Sequence, residues 1–74
     1  FPNPSNGHFT LRQNLEDGAQ FDIQVLDLTG KVVFEEKSLN ESTYKIYLGN
    51  QAKGMYILQV QGENYSFSRK LALN

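Results

Sequence analysis

The sequence contains no cysteine, so no disulfide braces the fold and no thiol serves as nucleophile or soft metal ligand. Tryptophan is absent, methionine and histidine occur once each, and the only prolines stand at positions 2 and 4. No apolar run approaches the ~20 residues that a bilayer-spanning helix needs, so no membrane insertion is expected. Neither sign of charge dominates: seven basic residues stand against eight acidic ones, a formal net charge of -1. A nucleic-acid-binding domain shows a basic face, and a membrane-surface anchor shows a polybasic cluster. This chain has neither, and nucleic acid is not an expected partner.

The length of 74 residues fits one small domain. A domain of this size buries only about 60% of its unfolded surface, so a thin core is expected. Position 1 is Phe, not Met. The expectation is that residues 1–74 are one domain excised from a longer protein, with any export leader outside them.

What the chain does have is apolar residues at period two. Phe9 and Leu11 alternate with Thr10 and Arg12, and Phe21, Ile23 and Val25 with Asp22 and Gln24. Tyr44, Ile46 and Leu48 form a third series, and Tyr56, Leu58 and Val60 a fourth. Tyr65, Phe67, Leu71 and Leu73 share one parity in the last segment, interrupted by Arg69. Each series places its apolar members on one face of a strand. Several half-apolar strands are hidden most simply in two packed sheets.

Turn chemistry separates the series. Ser5-Asn6-Gly7 precedes the first, and Glu16-Asp17-Gly18 follows it. Thr29-Gly30 reads as a tight hairpin with Gly30 at positive φ. Residues 49–54 form a longer connection, and Gly62-Glu63-Asn64 a short one. Roughly six or seven short strands at this spacing suggest a sandwich or barrel, and the reading adopted is an all-β, antiparallel sandwich of about seven short strands. Val25-Leu26-Asp27-Leu28 departs from alternation, which means either a strand covered on both faces or a bulge near Leu26. Val32-Val33-Phe34 raises the same question.

Four pieces carry a family resemblance. The chain opens Phe1-Pro2-Asn3-Pro4-Ser5-Asn6-Gly7-His8-Phe9-Thr10. It continues with Val25-Leu26-Asp27-Leu28-Thr29-Gly30-Lys31-Val32-Val33 and Lys53-Gly54-Met55-Tyr56-Ile57-Leu58-Gln59-Val60, and ends with Arg69-Lys70-Leu71-Ala72-Leu73. In this order they resemble the type IX (Por) secretion system C-terminal sorting domains, type A. The resemblance implies an immunoglobulin-like β-sandwich at the C-terminus of a secreted Bacteroidetes protein. It implies as partners the outer-membrane type IX translocon, its shuttle components, a sortase-like cysteine peptidase, and an N-terminal cargo domain of the same chain. Export of the folded cargo through the periplasm would be followed by cleavage and by attachment to lipopolysaccharide or release. The positions that match the sorting motif are Pro2, Asn3, Pro4, Gly7, Asp27, Gly30, Gly54, Tyr56 and Lys70.

Each of these positions also has a physical role to weigh. Pro2 and Pro4 fix φ and remove two donors, and Asn3 before Pro4 is driven to an extended conformation. The segment is either a rigid junction or an edge guarded against strand pairing. Gly7, Gly30 and Gly54 read as turn residues. Asp27 is placed to accept hydrogen bonds from the turn amides that follow it. Tyr56, after the loop that ends at Gly54, looks like the tyrosine corner of immunoglobulin-like sandwiches. Lys70, opposite in parity to Leu71, faces solvent and with Arg69 makes a small basic spot, either a charged edge or a contact for the translocon.

No catalytic constellation is expected. His8 reads as a surface strand residue. Glu35 and Glu36, adjacent on a strand, point to opposite faces and form no carboxylate pair. Glu16, Asp17 and Asp22 match no EF-hand spacing, and neither metal nor other cofactor is expected. Phe34, Tyr44, Tyr47 and Tyr65 read as core or cross-strand packing. Two other functions compete with sorting. One is an accessory carbohydrate- or protein-binding module, for which Tyr47 and Tyr65 are the candidates. The other is a stabilising spacer.

Overall fold

The period-two segments fold as strands. The computed structural model describes residues 7–14 and 19–74. In chain order the strands are β1 (His8–Arg12), β2 (Phe21–Asp27), β3 (Val32–Leu39), β4 (Thr43–Tyr47), β5 (Gly54–Gln61) and β6 (Ser66–Leu73). The described residues thus hold six strands where about seven were expected. Arg69 breaks the apolar parity of the last segment without breaking the strand, because β6 stays in register with β5 from Gln61↔Ser66 to Gly54↔Leu73.

Two antiparallel sheets form a sandwich: a four-stranded sheet in the order β3-β2-β5-β6 and a two-stranded sheet of β1 and β4. In the larger sheet, cross-strand partners share a face. Ile23 lies opposite Val60, Val25 opposite Leu58, and Tyr56 opposite Leu71. In the smaller sheet Phe9 lies opposite Ile46. The inner faces meet in a core of Phe9, Phe21, Ile23, Val25, Ile46 and Leu48, with Tyr56, Leu58, Val60, Leu71 and Leu73 beside them. At 0% exposure Val25 sits deepest. Phe34, Tyr44 and Phe67 pack against this core from its margin. Tyr65, which shares their parity, lies just before β6 and stays 41% exposed.

The apolar stretch around Leu26 resolves into a regular strand with an irregular partner. β2 runs against β5 without a break from Asp22 to Asp27. Both register shifts occur against β3, between Phe21 and Ile23 and between Val25 and Leu26. One residue of β2, Asp22, opposes two of β3, Lys37 and Ser38, at the first shift, where Ser38 takes φ 58°. The Asp22 carboxylate accepts a hydrogen bond from the Ser38 amide at 2.9 Å and so fixes that bulge. β3 is an edge strand, and bulges of this kind bend an edge away from unwanted pairing. Glu36, opposite Ile23 on the core-side row, adds a charge to the same edge.

Candidate functional site

The β2–β3 turn shows how the local sequence fixes geometry. The Gly30 amide donates to the Asp27 carbonyl at 3.0 Å, and the Asp27 amide to the Lys31 carbonyl at 2.9 Å. Gly30 sits at φ 91°. This is a three-residue loop, a turn followed by a left-handed glycine, one residue longer than the tightest hairpin. The Asp27 side chain holds it. Oδ1 accepts from the Thr29 amide at 2.9 Å, the Thr29 hydroxyl at 2.6 Å and the Lys31 amide at 3.0 Å. The Thr29 hydroxyl, with the two amides and the Lys31 charge adding to it, holds the Asp27 carboxyl below its ordinary pKa against a modest desolvation.

Tyr56 does what a tyrosine corner does. Its ring is buried in the core and its hydroxyl donates to the Ala52 carbonyl, four residues earlier. The loop before β5 is thereby tied to the first turn of the strand. The Leu48 amide donates to the Gly7 carbonyl at 2.7 Å, which docks the start of β1 against the end of β4.

The antiparallel order brings these features together. The end of β2, the starts of β3 and β5 and the end of β6 share one end of the larger sheet. Asp27 lies opposite Tyr56, Gly54 opposite Leu73, and Ile57 opposite Lys70. The Leu48–Gly54 loop carries β4, and with it Gly7, to the same end. Gly7, Asp27, Gly30, Gly54, Tyr56 and Lys70 therefore collect there, although they are scattered over the sequence. Pro2, Asn3 and Pro4 lie outside the described residues, as does the Glu16-Asp17-Gly18 turn.

This end also has a surface that the alternation did not reveal. Val32, Leu26, Ile57 and Lys70 form one cross-strand row on the outer face, with Met55 and Ala72 in the next. Leu28 in the turn is 71% exposed, Val32 43% and Met55 40%. Further along the same face the partners are Gln24, Glu35, Gln59 and Ser68. An outer face that is polar at one end and apolar at the other makes the apolar end a candidate contact surface. The signal in the sequence was the breakdown of alternation at Leu26 and Leu28.

Arg69 and Lys70 diverge, as neighbours on a pleated strand must. Arg69 belongs to the core-side row with Leu58, and Lys70 to the outer row with Ile57. His8 is exposed, its ring 4.8 Å from that of its cross-strand partner Tyr47. Tyr47 itself is 55% exposed. Tyr65 is tied instead to Gln13 beyond the far end of β1, by a 2.9 Å hydrogen bond to the amide oxygen. The two tyrosines thus sit at opposite ends of one strand and form no shared platform. Glu35 accepts a 2.6 Å hydrogen bond from Gln24, while Glu36 turns to the other face.

Two titratable groups among the described residues are displaced from their ordinary pKa. Asp27 is moved down, and the Tyr44 phenol is moved up, by burial first and then by the Glu36 and Glu41 carboxylates. Both move away from neutrality, whereas a general acid or base works best near the operating pH. Among the described residues, no group of three His, Asp or Glu side chains is placed to hold a metal ion.

A family model described as a secretion system C-terminal sorting domain matches residues 1–74. The chain belongs to that family. It is a signal domain of a cargo protein, and its membership indicates export from the cell by a type IX system. The chain is also 31% identical over 75 residues to an ulvan lyase, NLR42, of Nonlabens ulvanivorans. That match covers 100% of this sorting domain and 14% of the lyase, so the name describes the relative.

Proposed function

We propose that this sorting domain directs a folded N-terminal cargo through the outer-membrane type IX translocon by presenting the turn end of its larger sheet. Shuttle components then receive the cargo, a sortase-like cysteine peptidase cleaves it from the domain, and it is attached to the cell surface. The observation that carries this reading is the convergence of Gly7, Asp27, Gly30, Gly54, Tyr56 and Lys70 at one end, beside the exposed Leu28, Val32 and Met55. Asp27 and Tyr56 spend their polar atoms inside the domain, so they shape the surface. The apolar side chains and Lys70 are what a receptor touches.

The test is a fusion of residues 1–74 to the C-terminus of a fluorescent protein that carries a signal peptide. The hosts are a Bacteroidetes strain with a working type IX system and its translocon-deficient mutant. Fluorescence outside the first and retained in the periplasm of the second supports the proposal. Retention in both, with the fusion shown to be folded, overturns it. Cleavage is read from the size of the exported protein, and attachment from its partition between cells and medium.

A further inference from the structure

The side of the sandwich between β1 and β6 opens into a groove of about 620 Å³. The core residues Phe9, Leu11, Ile46, Leu58 and Leu71, none more than 7% exposed, underlie it, with the partly buried Phe67 at the margin. The charged residues that line it are Arg12, Arg69 and Lys70, and no carboxylate joins them among the described residues. Among the described residues the charge at this groove is basic, and Arg12 and Arg69 supply it, since Lys70 belongs to the outer row.

The cations are placed by the fold. Arg69 occupies the core-side row of an edge strand and stays exposed there. Its guanidinium lies 4.8 Å from the centre of the Phe67 ring, and Nη1 donates to the Ser68 carbonyl at 3.0 Å. The hydrogen bond uses one of the five guanidinium N–H donors, and the ring contact holds the cation beside Phe67. Arg12 ends β1 and is exposed on the facing wall.

We propose that this groove binds an extended acidic segment of another protein, with alternate apolar side chains on the floor and carboxylates at Arg12 and Arg69. The volume falls within the ~300–1,000 Å³ of ligand sites that take a few residues or a drug-sized molecule. The β1 wall runs over four consecutive residues, Phe9 to Arg12. At ~3.3 Å per residue this matches three or four residues of extended chain. Such a chain alternates its side chains, which satisfies a floor and a rim of opposite character at once. Arginine forks pair with carboxylates in a fixed geometry, so the rim favours carboxylates over other acceptors. A small anion leaves the floor uncovered, and a bilayer surface is too flat to enter a concavity. The assignment concerns binding alone and holds whether or not the turn end is the surface read during export.

The experiment is an NMR titration of ¹⁵N-labelled residues 1–74 with a blocked pentapeptide, Glu-Leu-Glu-Phe-Glu. A second peptide carries Gln in place of each Glu, and phosphatidylglycerol vesicles form a third arm. The acidic peptide is expected to shift amides of Phe9–Arg12 and Phe67–Leu71, with binding weakened by added salt. The Arg12→Gln, Arg69→Gln double variant is expected to bind at least about tenfold more weakly, since charge-assisted hydrogen bonds are lost. The two peptides test the charge requirement on the unaltered chain even if that variant fails to fold. Equal response to both peptides, shifts confined to other strands, or no shift at millimolar peptide each overturns the proposal. Shifts with the vesicles and not with the peptide reassign the groove to a membrane surface and overturn it too.

Discussion

The hydroxyl of Tyr56 donates to the carbonyl of Ala52, four residues earlier, while its ring is buried between the two sheets. One side chain thus belongs to both the core and the loop. Tyr56→Phe keeps the ring and leaves the Ala52 carbonyl without this donor. We predict a loss of about 1 kcal/mol, the usual net value of one hydrogen bond. For a domain of this size that is a fall in Tm of about 4–8 °C, measured by circular dichroism. An unchanged Tm would mean that water replaces the bond without loss.

Asp27 gives a pH signature. Its carboxyl is held low chiefly by the Thr29 hydroxyl. A lowered folded pKa contributes stability that is present above the unfolded value and lost as pH falls through the folded one. Thr29→Val removes the largest cause. The Asp27 carboxyl, followed by carbon-detected NMR, is expected to titrate closer to its ordinary 3.8 in the variant. Stability above that value should then fall, and the part of the acid-side loss that Asp27 contributes should shrink. An unmoved titration would show that the amides of Thr29 and Lys31 suffice.

The glycines at this end differ in what confines them. Gly30 sits at φ 91° with nothing within 4 Å of a built Cβ, so Gly30→Ala meets only backbone strain. That strain is about 1–2 kcal/mol in the left-handed region. Gly7, at φ 122°, would bring a Cβ to 2.7 Å from the Gly49 Cα. Backbone cannot step aside as a flexible side chain does, so Gly7→Ala should cost clearly more. Urea denaturation of the two variants ranks them, and the reverse order would refute the docking of β1 on the Gly49 backbone.

Much of this fold is legible from parity. Phe9 with Leu11, and Phe21 with Ile23 and Val25, named their buried faces, because a pleated strand leaves no other arrangement. Asp27 and Tyr56 were legible for another reason: each acts within four residues of itself, where the sequence is also the geometry. The pairing of β1 with β4 was not, since it joins His8 to Tyr47 across most of the chain and no local signal specifies it. Parity also tells which face a residue takes and not what covers it. Tyr65 shares the parity of Leu71 yet stands in the open, and Ser38 gave no sign of the bulge it occupies. The candidate surface was half visible. Its residues lay in the motifs, but their convergence depends on strand order.

The exposed apolar residues at the turn end separate recognition from stability. Leu28→Ser combined with Met55→Gln removes apolar surface that contributes little to the core. Stability is expected to change by no more than about 0.5 kcal/mol for each substitution. Export of a fused passenger, measured as the fraction of fluorescence outside the cells, is expected to fall. Normal export of this double variant would show that the machinery reads another face.

Edge protection yields a prediction of the opposite kind, a gain of an unwanted interaction. β3 is an edge strand with two register shifts, and Glu36 places a charge on its core-side row opposite Ile23. In Glu36→Val the core-side row of β3 becomes apolar at both Phe34 and position 36, with Glu35 between them on the outer face. The variant removes the charge from that row and leaves the bulge residues Ser38 and Val33 unchanged, so it isolates the charge. The fold should be unharmed, since the side chain is exposed and Val suits a strand. Self-association measured by sedimentation velocity is expected to rise above that of the unaltered chain, because an apolar edge is a template for pairing. If association does not rise, the bulges at Ser38 and Val33 guard the edge without help, and Glu36 serves only to keep the mouth of the core wet.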